Sequence, residues 1–223
     1  MKKQEKTRKE ENRSLGEREK ARASSFQKMS EDLRKQGYRQ YSLSVGTDRA
    51  NRFALTMALP VFGLFLVIYM IVNPGSLGFR SLSDTLLFAG GLILLLILRE
   101  FIRGLVWSLF AGNGLKDMEF GYLRDTLTPY CTCHVPLKKN GYILGMLMPL
   151  IVTGIIPAVT GIAIGSFPLL LIGTVMIIWS AGDILLVFTL LKHKSGSADQ
   201  LVCDLPLQAG CMLFERQDKR NGK

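Results

Sequence analysis

The chain has 223 residues, a formal net charge of +10 and 48% hydrophobic residues, enough for one compact domain with short flanks. The averages conceal a segregation, because residues 1–52 carry 15 Lys/Arg and 8 Asp/Glu while the apolar residues lie in long runs after Phe53. This excludes an ordinary water-soluble globule and points to a bilayer, where about 20 consecutive apolar residues cross the hydrocarbon as a helix with every backbone polar group bonded internally.

The first 37 residues mix Lys/Arg with Glu and hold few apolar side chains, as expected of a solvated helix or a disordered arm. Basic segments beside a membrane are attracted to anionic lipid head groups by about 1 kcal/mol per residue. No aromatic-rich binding motif accompanies the charge, so no nucleic-acid partner is expected. From Tyr38 the residues alternate as in a short strand up to Gly46.

Four apolar runs follow, near 53–72, 85–110, 142–164 and 167–191. Only Gly165 and Ser166 separate the last two, which predicts a tight helical hairpin. The first run begins after a long charged segment and exceeds the core of a cleaved signal peptide, so it is expected to remain as a span. The segment before the first run has 15 Lys/Arg, the loop 111–140 has four and the tail from Lys192 has six; the loop 73–84 has one and the Gly165-Ser166 turn none. By the positive-inside rule both termini are cytoplasmic. The expected protein is multi-pass in the cell membrane: an all-α four-transmembrane-helix bundle with a small cytoplasmic β-hairpin or strand addition. It divides into a basic arm at 1–37, a membrane domain at 38–215 and a basic tail at 216–223.

The loop 111–140 holds alternating segments and two prolines around Thr128-Pro-Tyr-Cys-Thr-Cys-His134, which predicts a short hairpin or edge strand. A similar strand is expected at Gly210–Phe214. Trp107 and Tyr122 are expected as interfacial anchors. All four cysteines fall on the expected cytoplasmic side, where structural disulfides are disfavoured. Cys131, Cys133 and His134 could hold zinc if Cys203 or Cys211 folded back onto them. Their spacing is not the usual Cys-x₂₋₄-Cys, and the alternative is a layer of reduced, packed cysteines.

Four ionisable residues lie in the runs: Arg99, Glu100, Arg103 and Asp183. Such groups are costly in lipid and normally pair with one another inside the bundle. Arg99 and Arg103 are spaced i, i+4 on one helix face. Two readings follow: a charge-neutral cluster holding the second and fourth runs together, or an interfacial flank beyond Leu98 whose long side chains reach water.

Arg99-Glu-Phe-Ile-Arg103-Gly104 resembles the His-Glu-x-x-His helix of integral-membrane zincins. Residues 38–215 are similar to a bacterial family of putative zincin peptidases, distantly like site-2 proteases. The likeness rests on Gly104, Thr-Pro-Tyr-Cys (128–131), Met-Pro-Leu (148–150) and Ala-Gly-Asp (181–183). It implies imidazole zinc ligands at positions 99 and 103, Glu100 as general base and Asp183 as third ligand. Arginine stands at both imidazole positions, and a guanidinium is a permanently protonated donor that does not ligate zinc. The resemblance therefore implies a degenerate site with a vestigial Glu100, no cofactor, and a non-catalytic pseudoprotease that binds a membrane protein or peptide. The alternative is a zinc peptidase using Glu100 and Asp183 with further ligands; a weaker one is a transporter or channel component.

Overall fold

The computed structural model describes residues 17–44, 47–123, 128–193, 199–205 and 210–216. The start of the expected arm and all of the expected tail beyond Arg216 lie outside these residues.

The elements in chain order are α1 (Glu17–Lys35), β1 (Tyr38–Ser44), α2 (Thr47–Val72), α3 (Leu82–Ser108), β2 (Met118–Leu123), β3 (Thr128–Cys133), β4 (Leu137–Lys138), α4 (Lys139–Pro149), α5 (Ile156–Ile164), α6 (Phe167–Trp179), α7 (Ala181–Lys192), β5 (Gln200–Asp204) and β6 (Gly210–Arg216). A π-helical turn at Leu150–Ile155 joins α4 to α5, so Lys139–Ile164 forms one span-length helix around Pro149 and Pro157. Three helices are long and apolar enough to cross a membrane, and a fourth crossing follows if α6 and α7 count as one. The protein is thus predominantly helical and built for a membrane.

The fourth run differs from the single helix expected over 167–191. It bends by 41° between α6 and α7. At the bend Ser180 is fully buried and its hydroxyl bonds the Met176 carbonyl at 3.0 Å. A serine turned back on its own helix competes with the backbone ladder and bends it. The same residue opens α7, accepting from the Ile184 N–H at 3.0 Å. The break therefore puts Asp183 in the first turn of a new helix, where the macrodipole favours a carboxylate.

α5 and α6 form the expected hairpin through Gly165, which takes a left-handed φ of 69°. The two helices touch backbone to backbone. A Cβ on Gly173 would sit 2.3 Å from the Ala158 nitrogen.

The small β addition expected from sequence is present as a sheet and a hairpin. An antiparallel four-stranded sheet runs in the order β1-β6-β5-β4, and β2 with β3 makes a separate hairpin. Alternation along the strands gives the sheet two apolar faces. On β6, Cys211 and Leu213 face the bundle, where they join Trp107, Tyr142, Leu186 and Leu190 in the main core. Phe214 and Cys203 of β5 face the other way, onto Leu33 with Phe26 and Met29. The i, i+3, i+7 stripe of Phe26, Met29 and Leu33 thus docks α1 on the sheet.

Trp107 is corrected: it is not an interfacial anchor. It is 1% exposed, its indole N–H donates to the Tyr142 carbonyl at 3.1 Å, and its ring stacks on Tyr142 at 5.1 Å. A Cβ on Gly145 would lie 2.1 Å from the Trp107 ring, so only glycine there leaves room for the indole. Tyr122, in contrast, is exposed.

Candidate functional site: a closed ring of charges

α3 runs unbroken from Leu82 to Ser108, so Arg99, Glu100 and Arg103 lie well inside the helix. Arg99 and Glu100 are buried, at 6% and 5% exposure. The interfacial-flank reading therefore fails. The cause is geometric: these side chains meet α7 and β3 rather than reaching for water.

The four charges close into a ring. Arg99 donates through Nη1 to Glu100 Oε1 and through Nη2 to Asp183 Oδ2. Arg103 donates through Nη1 to Glu100 Oε2 at 3.0 Å and through Nη2 to Asp183 Oδ2 at 2.6 Å. Each guanidinium thus touches both carboxylates, and each carboxylate touches both guanidiniums. The Cys131 backbone N–H adds a further donor to Glu100 Oε2 at 3.1 Å. Charge-assisted bonds of this kind are the strong ones, and in a water-poor interior they replace lost hydration.

β3 reaches the ring because its backbone can. Phe120 pairs with Cys131 across the hairpin, and the Cys131 N–H points away from β2 to Glu100. Two residues on, the Cys133 N–H points the same way, to Asp204 Oδ2 at 3.5 Å. Pro129 has the same parity, so its missing N–H falls on that outward side, as required of a proline in a strand. Gly104 lets the hairpin close on α3, since a Cβ there would sit 2.3 Å from the Phe120 ring and 2.8 Å from the Cys131 sulfur.

A second shell leads from the ring to the sheet. The Arg103 guanidinium lies 5.9 Å from the centroid of the Trp107 ring, a cation–π distance. Trp107 stacks on Tyr142, whose hydroxyl donates to Asp204 Oδ1 at 2.5 Å. Asp204 belongs to β5, far along the chain, and no local pattern in the sequence marks it. Burial pushes its carboxyl above the ordinary aspartate range, against the opposing pull of the Tyr142 hydroxyl and the Arg103 charge.

Zinc chemistry does not fit these donors. Positions 99 and 103 present only N–H groups, and both carboxylates are occupied by guanidinium. Arg99 Nε and Arg103 Nε are buried without a hydrogen-bond partner, which adds unspent donors where a cation would need acceptors. The two histidines are elsewhere. His134 Nε2 lies 2.9 Å from Glu119 Oε2 on the hairpin, and His193 Nε2 lies 3.2 Å from Glu215 Oε1 at the end of α7.

The second zinc candidate, Cys131 and Cys133 with His134, is not brought together either. Strand alternation puts both cysteines on one face, while His134 turns to Glu119. Cys203 comes toward Cys133, but its sulfur lies 4.0 Å from the Cys133 carbonyl. Among the described residues no three His, Cys, Asp or Glu side chains are placed to share a metal. All four cysteines are free and buried. Burial pushes the Cys131, Cys133 and Cys211 thiols up to about 12 and Cys203 still higher, so they are weak nucleophiles at neutral pH.

Residues 92–198, just under half of the chain, match the family model described as putative zincin peptidase. The matched segment includes the whole charge ring, the hairpin and α4 to α7. It omits α1, β1, α2, β5, β6 and Asp204. No curated protein and no solved structure matches the chain.

Two outcomes are expected from this geometry. Asp183→Ala strands two buried guanidiniums and should cost about 3–5 kcal/mol. Combined with Arg103→Leu it should cost clearly less than the sum of the single changes, as read from thermal unfolding in detergent. A coupling under about 0.5 kcal/mol would mean that the ring does not bind the helices together. The second outcome concerns Asp204. Its folded-state carboxyl is held above the unfolded value of about 3.9, so its contribution to stability is fully present below that value. It is lost as pH rises through the folded value. Against Asp204→Asn, which keeps an acceptor for Tyr142, the wild type should lose relative melting temperature as pH climbs from about 4 to 7. Parallel pH profiles would refute the shift.

Proposed function

We propose, with residues 92–198 belonging to the putative zincin peptidase family, that the protein is a membrane pseudoprotease, keeping the peptidase framework without its metal chemistry. One observation carries this reading: the ring in which Arg99 and Arg103 occupy both Glu100 and Asp183. A general base needs a free lone pair within hydrogen-bond reach of the proton it takes. Glu100 accepts three donors, two of them cationic, which keep its oxygens engaged. No hydrolytic step is derived from such a carboxylate.

The neighbouring strand supports the same reading. An extended peptide can join a sheet only at an edge with unspent N–H groups. On the ring side of β3 those groups are absent at Pro129 and bonded at Cys131 and Cys133. The edge beside the ring is therefore closed to an added strand. A protein that has lost cutting but kept the fold acts by binding, and its span-length helices make another membrane protein or a peptide the natural partner. The basic N-terminal segment is read as adding attraction to anionic lipid head groups.

Elemental analysis of the purified protein should find no stoichiometric zinc held at the ring. About one zinc per chain, lost in Glu100→Gln or Asp183→Asn, would restore the peptidase reading. The basic loops further imply a multi-pass chain with both termini in the cytoplasm. With the native thiols buried, cysteines introduced as Lys28→Cys and Leu77→Cys report sidedness. In intact cells an impermeant maleimide should label position 77 and spare position 28. The reverse pattern would invert the topology.

A further inference from the structure

The hairpin of β2 and β3 is deeper than a surface loop. The Cys131 N–H bonds Glu100, and α3 continues from Glu100 for eight residues to Ser108. At about 1.5 Å per residue, the hairpin folds back roughly 12 Å along the helix. Strands are excluded from hydrocarbon when their edge groups are unsatisfied. Here the inner edge of β3 has no unspent N–H at 129, 131 or 133. On β2, the Met118 N–H is bonded to the Leu115 carbonyl, and the Phe120 and Tyr122 N–H groups point the same outward way, which suits the wet boundary of the leaflet and not its hydrocarbon.

The side chains divide accordingly. One face carries Glu119, Tyr130 and Thr132, with the Tyr130 hydroxyl on Glu119 at 3.2 Å and His134 beside it. The other is the face laid on α3, where Met118, Cys131 and Cys133 are buried and Phe120 and Tyr122 are left at 45% and 56% exposure. Phe120 packs against Phe101 at 6.2 Å between ring centroids. Phe101 is itself half exposed on the span-length helix, as is Leu105 one turn on, and Leu109 and Leu115 extend the exposed apolar surface into the connection. The patch is thus continuous with the surface that α3 turns to lipid. Contiguous apolar exposure of this kind marks an interaction surface rather than scattered residues.

We infer that Phe120 and Tyr122, with Leu115, form a lipid-contacting surface, and that the β2–β3 hairpin lies with this face in the acyl and head-group boundary of the leaflet beside the ring. The occupant is lipid, because the half-exposed Phe120 packs on the half-exposed Phe101 of a span-length helix that needs lipid around it. The inference rests on hairpin geometry and holds whether or not the ring binds metal.

Spin labels decide it. The full chain carrying Tyr122→Cys or Leu115→Cys, both at exposed positions, is labelled and reconstituted in phosphatidylcholine vesicles, whose neutral surface leaves the basic segment around position 28 in water. Unmodified protein is the control for the buried native thiols, and Lys28→Cys is the water reference. Collision with oxygen relative to a water-soluble nickel chelate should be several-fold higher at 115 and 122 than at 28. If either position matches 28, the hairpin stands in water and the inference is overturned. If both are oxygen-rich but a lipid-anchored nickel chelate relaxes neither label, the label is buried in protein, which overturns it equally.

Discussion

Four charges in a water-poor interior tolerate few arrangements, and the ring of Arg99, Glu100, Arg103 and Asp183 is one that leaves none of them alone. It sums to zero, and each member has two partners of opposite sign. A single ion pair between α3 and α7 would leave one arginine and one carboxylate without that compensation, at several kcal/mol. The rest of the bundle accommodates this requirement. α3 must stay helical past Leu98, so that residues 99 and 103 share a face. α7 must begin near Ser180, so that Asp183 arrives with a helix N-terminus behind it.

The hairpin and the sheet complete the arrangement from the other side. β3 supplies a backbone donor to Glu100, and Gly104 provides the clearance that allows it. Trp107 and Tyr142 carry the contact outward from Arg103 to Asp204, on a strand that the family match does not include. The segment that matches the family model is therefore tied to a sheet drawn largely from outside it. Removing that sheet would uncover Asp204 and the main core, which sits where the helix ends meet the strands.

A peptidase needs a cation held by lone pairs and a carboxylate free to take a proton. The ring offers guanidinium in place of the cation, and the carboxylates spend their lone pairs on it. The contacts that tie α3 to α7 are the same ones that occupy Glu100 and Asp183. Catalytic sites usually carry groups whose local needs are unmet until substrate arrives. Here the unmet groups are two buried Nε–H donors, which suit neither a metal nor a proton-accepting step.

Much of this was legible from residue order alone. Long apolar runs favour helices, so three span-length apolar helices and a bent fourth run lie close to where the runs placed them. The 165–166 turn, the strand near Tyr38, the hairpin at 118–133 and the strand at 210–214 followed from spacing and alternation. So did the pairing need of Asp183, because a lone carboxylate amid apolar neighbours has no other means of compensation. What the order of residues left open was every choice that depends on a distant partner. Burial of Arg99 and Glu100 against a flank in water turned on whether α7 and β3 came to meet them. Trp107 looked like an anchor until Gly145 and Tyr142 enclosed it. The pairing of β1 with β6 brings Tyr38 beside Arg216 across most of the chain, and local pattern contains no register for such a contact. Asp204 was invisible for the same reason: its partners, Tyr142, Cys133 and Arg103, are set by packing. Periodicity is a property of neighbours along the chain and survives in the sequence, whereas the compensation of a buried charge is a property of neighbours in space and is decided only when the chain folds.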